Sequence, residues 1–360
     1  EGWITNVLNA KQVADASKDF AKFAEADLNK KPLSYGPYVI AKEVNGESVL
    51  AEANPHYYKK NDVKVKKIEF KVVSPAQASS VIKNGDVDVL PGVTANVWDS
   101  SKDLKNGDFL SKPSYYLSYV GFRTGQWDKE KSENVEDPDS KLKDRNVRQA
   151  FELAVDRDQI NEKVFKGLRF TPTGSGMYPP ATGKLQNEKA TAAKKDVEKA
   201  KKLLDEAGYK DVNGDGYRED KNGKPFEVRI ASMAGGDIAE PLVQFYIQQW
   251  KEIGIKGVLS TGRLIEFNSF YDKVQADDPE IDVYFAAWGV GTNLSPFETA
   301  GRKSMFNYTR FASDENDKLM AEVTSPKTLT DPNYKAEAYK RWLAYYIDQA
   351  VEVPLTYRYE

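Results

Sequence analysis

The sequence predicts an α/β protein built from two lobes. Segments with apolar residues spaced at three and four, which is typical of helices, alternate with short strands along most of the chain. The length of 360 residues exceeds that of one common domain and favours two. A cleft is expected between the lobes, and clefts between domains are favoured ligand sites.

The first part of the chain is predicted to contain a helical segment over residues 1–34, followed by part of lobe I over residues 35–121. Strand patterns on both sides of Asn45-Gly46 predict a β-hairpin, because this dipeptide suits a tight turn. The other predicted elements here are a strand over 65–73, a short helix over 75–82, a buried strand over 87–90 and a strand over 115–122.

Residues 122–353 are predicted to form lobe II, and residues 354–360 a strand that returns to lobe I. A polar run over residues 126–143 indicates a surface excursion between the lobes. Helices are expected over 146–155, from an Asp156 cap to Gly167, over 196–207 with Gly208 at its end, and from Pro241 to Gly254. Strands are expected over 227–232, 257–260 and 281–287.

The composition excludes several kinds of chemistry. The chain has no Cys and a single His, so thiol nucleophiles, disulfides, Fe–S clusters and cysteine or multi-histidine metal sites are excluded. Its 55 acidic and 52 basic residues give a net charge of −3, whereas nucleic-acid binding needs a clustered basic face. His56 lies in a polar loop pattern, and neither a nucleophile elbow nor a Walker loop is present. We therefore expect no catalytic residue, no metal, no cofactor and no nucleic-acid partner.

The loop over residues 211–219 matches the first half of an EF-hand calcium loop. The twelfth position is Asn222, where a bidentate Glu is expected, and a strand follows where a second helix is needed. The pattern favours a turn rich in Asn, Asp and Gly. A weak structural calcium site is the alternative.

The strand over residues 283–287 runs directly into Trp288 and then into a loop of small residues. Small neighbours let the backbone approach a ligand closely and favour display of the Trp288 ring, although a core position is the alternative. The chain also holds 20 Tyr, 16 Phe and 6 Trp, which suit surfaces that bind varied partners as well as large cores.

Short motifs spread along the chain are similar to motifs of a known protein family. They are Tyr35-Gly36-Pro37-Tyr38, Asn54-Pro55-His56-Tyr57-Tyr58, Asn146-Val147-Arg148-Gln149-Ala150, Ala154-Val155-Asp156-Arg157, residues 200–209, Asp215-Gly216-Tyr217-Arg218-Glu219, Gln248-Gln249-Trp250, Glu266-Phe267-Asn268 and Val353-Pro354-Leu355. With these in order, the chain resembles the oligopeptide-binding (Opp/Dpp-type) lipoproteins of ABC importers, especially those of Gram-positive bacteria.

The resemblance implies a type II-like periplasmic-binding-protein fold (cluster C-like), with two lobes and mixed sheets flanked by helices. It implies a monomeric receptor, not an enzyme, that closes over an oligopeptide and delivers it to ABC permease subunits. It also implies attachment to the extracellular face of the membrane through an N-terminal lipid anchor that is absent here, and we expect the chain to be truncated at both ends.

The resemblance also implies a set of peptide-binding residues. Backbone at Trp288 and Gly289 would pair with the peptide as an added strand. The remaining members of the implied set are Phe122 and Arg123 on the crossing strand, Phe267 in a side-chain pocket, Asn293, and Tyr357 on the returning strand. Gly291 stands where Gram-negative relatives carry an Asp that binds the peptide's amino terminus, which predicts longer peptides bound in variable register.

Two other functions are compatible with these residues. The same fold could bind a peptide pheromone, a sugar or a metal chelate, and aromatic richness suits a sugar. A glycoside hydrolase using paired carboxylates is the more distant alternative.

Overall fold

The computed structural model describes residues 9–19, 22, 25–105, 107–172, 180–185, 187, 189–236, 238–289 and 295–359. Contacts within the chain divide it into two compact units, Glu1–Ser80 and Val81–Glu360. The predicted lobe limits at residues 121 and 353 do not coincide with this division. The assignment of residues to two lobes stays a prediction.

The first unit contains a three-stranded antiparallel sheet of β1 (Tyr38–Val44), β2 (Ser48–Ala53) and β3 (Lys67–Lys71). β1 and β2 form the predicted hairpin, and Gly46 in its turn adopts a φ of 74°, which only glycine reaches without strain. Two short helices, α1 (Ala10–Ala16) and α2 (Asp27–Lys30), lie within the segment predicted to be helical.

The second unit is organised around a six-stranded mixed sheet. Its strands are β4 (Pro113–Phe122), β7 (Arg169–Phe170), β8 (Glu227–Ala231), β9 (Lys256–Leu259), β10 (Val283–Gly289) and β11 (Glu352–Tyr359), and β5 (Gly125–Asp128) pairs separately with β6 (Glu133–Glu136). The order in the sheet is β7-β11-β4-β10-β8-β9. The pairs β7–β11, β11–β4 and β4–β10 are antiparallel, whereas β10–β8 and β8–β9 are parallel. The sheet therefore has an antiparallel part, β7-β11-β4-β10, and a parallel part, β10-β8-β9. The helix over Ala239–Lys251 connects β8 to β9.

The remaining helices of the described residues are α3 (Ala78–Asn84), α4 (Ala95–Ser101), α5 (Arg145–Ala154), α6 (Arg157–Lys163), α7 (Val197–Glu206), α8 (Ala239–Lys251), α9 (Phe267–Gln275), α10 (Phe297–Ala300), α11 (Asp314–Val323), α12 (Lys327–Thr330) and α13 (Pro332–Gln349). Side-chain caps begin several of them. The Asp156 carboxylate accepts a hydrogen bond from the Gln159 N–H at 2.9 Å, as predicted for α6. None of these helices, within the described ranges, is long and apolar enough to cross a membrane.

The core of the second unit covers both faces of the six-stranded sheet. Alternation along β4 directs Tyr119 to one face and Phe122 to the other. One cluster packs Tyr119 against α13 residues such as Trp342, and the other packs Phe122 against Phe151 of α5. The sheet is therefore the middle layer of this unit.

One local prediction is wrong, and one predicted surface segment holds more structure than expected. Residues 87–90 form no strand; they lack a pairing partner in the described chain, and the Val89 side chain is 77% exposed. The run over 126–143 is not only a surface excursion, because it contains the β5–β6 hairpin. Asn134 in this hairpin is fully buried. Its side-chain amide donates to three backbone carbonyls, those of Gly301, Arg302 and Ser304.

Candidate functional site

The strand β10 has one edge that is only partly paired. On one side it pairs with β4 along its whole length, from Val283 opposite Phe122 to Gly289 opposite Tyr116. On the other side its ladder with β8 includes only Val283 and Tyr284. β8 departs because its continuation pairs elsewhere, through the bridge between Met233 and Ile265. Among the described residues, 286–289 therefore present a row of backbone N–H and C=O groups without a strand beside them, which we call the open edge of β10.

The Trp288 ring lies between two tyrosines rather than standing free. Its plane is 6° from that of Tyr119, with ring centroids 6.4 Å apart, and 13° from that of Tyr308, with centroids 5.7 Å apart. The side chain is half-buried, so display and core packing, the two alternatives left open by the sequence, both apply in part. The ring is held in this stack, and the neighbouring Gly289 is exposed.

Aromatic contacts continue from Tyr308 to the start of α9. Tyr308 lies 6.0 Å from Tyr271, and Tyr271 lies 5.1 Å from Phe267, measured between ring centroids. We call Tyr119, Trp288, Tyr308, Tyr271 and Phe267 the aromatic row. Partial burial raises the pKa of the Tyr271 hydroxyl to about 12, with the neighbouring tyrosines adding to the shift. The row is therefore uncharged at neutral pH and offers stacking surface.

Phe267 is the exposed end of the aromatic row, with 57% of its surface accessible. It is the first residue of α9, and the Glu266 carboxylate caps that helix by accepting from the N–H groups of Asn268 and Ser269 at 2.9 and 3.1 Å. These hydrogen bonds lower the pKa of Glu266. The cap holds the first turn in place, and so fixes the position from which Phe267 projects.

Of the other residues predicted for the site, Tyr357 lies in the same row across the sheet as Trp288, whereas Phe122 lies away from it. Tyr357 is buried on β11 opposite Leu117 of β4, and Leu117 is also opposite Trp288, so the three lie in one row across the sheet. Phe122 lies at the far end of β10, fully buried with its ring 5.2 Å from Phe151. Its place in the predicted site depends on the resemblance alone, because the alternation of β4 points its side chain away from Trp288.

Arg123 is next to Phe122 and is held by the chain itself. One guanidinium nitrogen donates to the Asp278 carbonyl at 2.7 Å, and the backbone N–H donates to the Asp282 carbonyl at 3.0 Å. Asn293, like Gly291, lies outside the described residues. Sequence reasoning missed Tyr119, Tyr271 and Tyr308; strand alternation could have found Tyr119 and the helical spacing from Phe267 could have found Tyr271, whereas no sequence signal indicates Tyr308.

A buried acid lies beneath this part of the sheet. Glu352 on β11 is opposite Gly121 and is 1% exposed, and neither carboxyl oxygen has a hydrogen-bond partner in the described chain. Burial raises the pKa of Glu352 to about 8. The indole of Trp288 and the hydroxyl of Tyr346 offset this only in part, because neither reaches hydrogen-bonding geometry. The carboxyl is therefore mostly protonated at neutral pH.

The acidic loop after α7 directs its carboxylates to its own backbone. Asp211 accepts from the N–H groups of Gly214 and Gly216 at 2.7 and 3.0 Å, and Glu219 accepts from the Val212 N–H and from the side-chain amide of Asn213. This is the turn structure that the sequence favours over a calcium site. Across the ranges that the structure describes, no group of three or more Asp, Glu or His is arranged to hold a metal.

A cavity of about 580 Å³ lies apart from β10, beside α7 and the end of α8. Charged side chains line much of it, including Lys201, Asp205, Arg218 and Lys251. It contains none of the predicted site residues. An open, charged concavity of this kind lacks the apolar lining common in small-molecule sites, so the open edge of β10 is the better candidate.

Comparisons with known proteins agree on one family. The model of the bacterial extracellular solute-binding proteins, family 5 Middle, matches residues 5–302. The oligopeptide-binding protein OppA of Lactococcus lactis subsp. lactis is 32% identical over 330 residues, which cover 91% of this chain and 54% of that protein. The oligopeptide-binding protein AppA of Bacillus subtilis is 27% identical over 352 residues, 94% of this chain and 59% of that protein. The chain spans about half the length of these curated relatives.

Solved structures agree on the fold. Lactococcal OppA, solved in a closed conformation with an endogenous peptide, superposes with a TM-score of 0.89 at 28% identity, covering 98% of this chain and 65% of that one. Bacillus subtilis AppA, solved with a nonapeptide, gives a TM-score of 0.78 at 21% identity, covering 98% and 66%. The predicted class, a type II-like α/β fold with mixed sheets flanked by helices, is confirmed. The chain belongs to family 5 of the bacterial extracellular solute-binding proteins.

Proposed function

We propose that this chain is the ligand-binding part of an extracytoplasmic receptor that takes up oligopeptides and presents them to the permease subunits of an ABC importer. The relatives named above are oligopeptide-binding proteins, which supports the ligand class. The open edge of β10 is the observation that carries the proposal, because it offers unpaired backbone groups beside aromatic side chains.

An extended peptide would pair with the open edge of β10 as an added strand. Main-chain hydrogen bonds would supply affinity that does not depend on peptide sequence, and pockets for alternate side chains would supply preference. Trp288 and Gly289 contribute backbone, while Phe267 contributes an exposed ring at the end of the aromatic row. The full proposed contact set is Phe122, Arg123, Phe267, Trp288, Gly289, Asn293 and Tyr357.

The whole receptor is proposed to have two lobes, with residues 35–121 and the strand over 354–360 in lobe I and residues 122–353 in lobe II. We propose a monomer held at the extracellular face of the membrane by an N-terminal lipid anchor. The family description as extracellular supports the compartment. A sugar or pheromone ligand is less well supported, since the relatives' names point to oligopeptides. A hydrolase is not proposed, because the family is one of solute-binding proteins.

Backbone-methylated peptides test the added-strand mode directly. Calorimetry on the receptor would compare a binding peptide with versions carrying an N-methyl group at successive positions. Where the peptide N–H points at the open edge, methylation removes a hydrogen bond and adds a clash, so affinity is expected to fall about tenfold or more. Alanine replacements of peptide side chains are the control. They are expected to lower the affinity less, on average, than N-methylation does. Equal affinity for all methylated versions would refute the mode.

The aromatic row is tested from the protein side. Phe267→Ala is expected to weaken peptide binding by about threefold to tenfold through lost stacking area. Leu329→Ala is the matched control, because Leu329 is 85% exposed on a different element and is expected to change nothing. Equal dissociation constants for both variants would remove Phe267 from the site.

The amino terminus of the peptide is proposed to be free of a fixed anchor, since Gly291 replaces the acid of Gram-negative relatives. N-acetylated and free peptides are therefore expected to bind with similar affinity. A collapse of affinity on acetylation would refute this part of the proposal.

A further inference from the structure

Two arginines face each other across the edge of the six-stranded sheet. Arg358 of β11 and Arg169 of β7 are directly opposite in the antiparallel register. The Arg358 guanidinium carbon lies 3.6 Å from the centroid of the Tyr116 ring, and that of Arg169 lies 5.0 Å from the centroid of Phe165. Each guanidinium is therefore oriented by an aromatic ring that it stacks on or faces.

Neither arginine has an acidic partner among the described residues. Within the described ranges, the Arg358 Nε is buried and donates to no acceptor, and the Arg169 guanidinium donates only to the Leu168 carbonyl at a long 3.4 Å. Burial and the neighbouring Arg358 charge lower the pKa of Arg169 to about 10. The Arg169 guanidinium therefore stays charged at neutral pH beside that of Arg358, and no carboxylate of the described residues pairs with either group.

Two buried arginines among the described residues, Arg148 and Arg310, bind acceptors within the fold, in contrast to this half-buried pair. Arg148 donates to the carbonyls of Leu142, Lys143 and Gln349 at 2.7–2.9 Å. Arg310 pairs with the Asp277 carboxylate. Where an arginine serves the fold alone, its donors are satisfied within the fold, whereas the donors of Arg169 and Arg358 remain available for an anion.

The arginine pair lies at the same end of the sheet as the open edge of β10. Tyr116, on which Arg358 stacks, is directly opposite Gly289 in the β4–β10 ladder. A Cβ at Gly289 would lie 3.4 Å from the Tyr116 ring, so the two residues are in contact range. Arg358 therefore lies across β4 from Gly289, and a peptide that extends beyond the open edge would turn over the end of β4 to reach it.

We propose that Arg169 and Arg358 form a binding site for a carboxylate of the bound peptide. A guanidinium matches a carboxylate through two parallel N–H···O hydrogen bonds, and the negative charge of the carboxylate would offset the repulsion between the two guanidiniums. The carboxylate comes from the peptide's carboxyl terminus or from an Asp or Glu side chain. This inference rests on the proposed peptide-binding function and names a preference within it.

Matched peptides separate the two sources of the carboxylate. Calorimetry would measure a peptide with both groups, its carboxyl-terminal amide, and its version with Gln in place of Glu. The wild-type receptor is expected to lose about tenfold in affinity for the one version that lacks the bound carboxylate. In Arg358→Gln and Arg169→Gln this difference is expected to disappear. Arg263→Gln, an exposed arginine, is the control and is expected to keep the difference.

The outcomes distinguish this inference from the proposed function. If peptides bind and the amide, the Gln version and the parent bind equally to the wild-type receptor, the carboxylate site is refuted while peptide binding stands. A probe without a peptide tests the site independently: sulfate is expected to raise the melting temperature of the wild type more than that of Arg358→Gln. Arg358→Lys is expected to keep part of the affinity difference between the peptides and part of the sulfate-induced rise in melting temperature. Lysine retains the positive charge but cannot form the two parallel hydrogen bonds of a guanidinium. An identical sulfate response in wild type and Arg358→Gln would also count against the site.

Discussion

Replacing the buried acid Glu352 by Gln should change how the stability of this chain depends on pH. The Glu352 carboxyl is buried without a hydrogen-bond partner in the described chain, next to the hydroxyls of Tyr119, Tyr284 and Tyr346. Burial raises the pKa of Glu352 from 4.5 to about 8 in the folded protein. Unfolding exposes the group to water, so the folded state binds this proton more tightly than the unfolded state.

The sign and the size of the effect follow from this difference. Between pH 4.5 and pH 8 the folded state holds a proton that the unfolded state has lost, so stability falls as pH rises, by about 1.4 kcal/mol per pH unit. Across the interval the loss amounts to about 5 kcal/mol. The contribution is fully present below the unfolded pKa and is lost as pH rises through the folded pKa. The neutral amide of Glu352→Gln removes this dependence.

Urea unfolding at several pH values between about 5 and 8 measures the effect. The free energies of unfolding of the wild type and of Glu352→Gln are expected to differ by about 1 kcal/mol or less near pH 5. Near pH 8, Glu352→Gln should be the more stable of the two. Glu162→Gln is the matched control, since Glu162 is exposed on α6 and should leave the wild-type slope unchanged. Parallel stability curves for wild type and Glu352→Gln would refute the reasoning.

Three further predictions concern packing, a buried ion pair and calcium. Gly121→Ala places a Cβ in steric overlap with the ring of buried Tyr284, so the free energy of unfolding in urea is expected to fall by about 1–3 kcal/mol. Arg310→Ala leaves the Asp277 carboxylate without its buried partner and is expected to cost about 3–5 kcal/mol in the same assay. Added calcium is expected to leave the melting temperature unchanged, because Asp211 already accepts from two N–H groups of its own loop.

Each of these predictions has a control within the chain. Gly257→Ala meets flexible aliphatic side chains, Cδ1 of Ile230 at 2.9 Å and Cγ1 of Ile247 at 3.3 Å, and should cost less than Gly121→Ala; an equal cost would contradict the packing argument. Arg341→Ala removes an exposed pair with Glu322 and should cost less than about 1 kcal/mol, so a loss as large as that of Arg310→Ala would count against burial as the cause. A calcium-dependent rise in melting temperature that Asp211→Asn abolishes would establish the rejected calcium site.

Much of the local structure was predictable from the sequence, because it depends on neighbouring residues. The hairpin at Asn45-Gly46 and the Asp156 cap formed where their turn and cap residues predicted. The strand leading into Trp288 was also predictable from its apolar run. The strand predicted over 87–90 failed because apolar composition alone does not supply a pairing partner.

The candidate site was predictable only in part. Trp288 and Phe267 came from the sequence and its resemblance, and the structure connects them through Tyr308 and Tyr271. Tyr308 reaches the row through a fold contact that no local spacing encodes. The same is true of Arg169 and Arg358, which are distant in sequence and meet only because β7 pairs with β11.

The sequence by itself determined the α/β class, the helix caps, the turn chemistry and the family, since each depends on residue types at short spacing or on motifs in order. Only the tertiary structure decided the strand order, the point where β8 leaves β10, and the burial of Glu352. The physical reason is that pairing and burial are set by contacts between distant segments. An open edge or an uncompensated charge is defined by what does not lie beside it, and that is known only after the chain has folded.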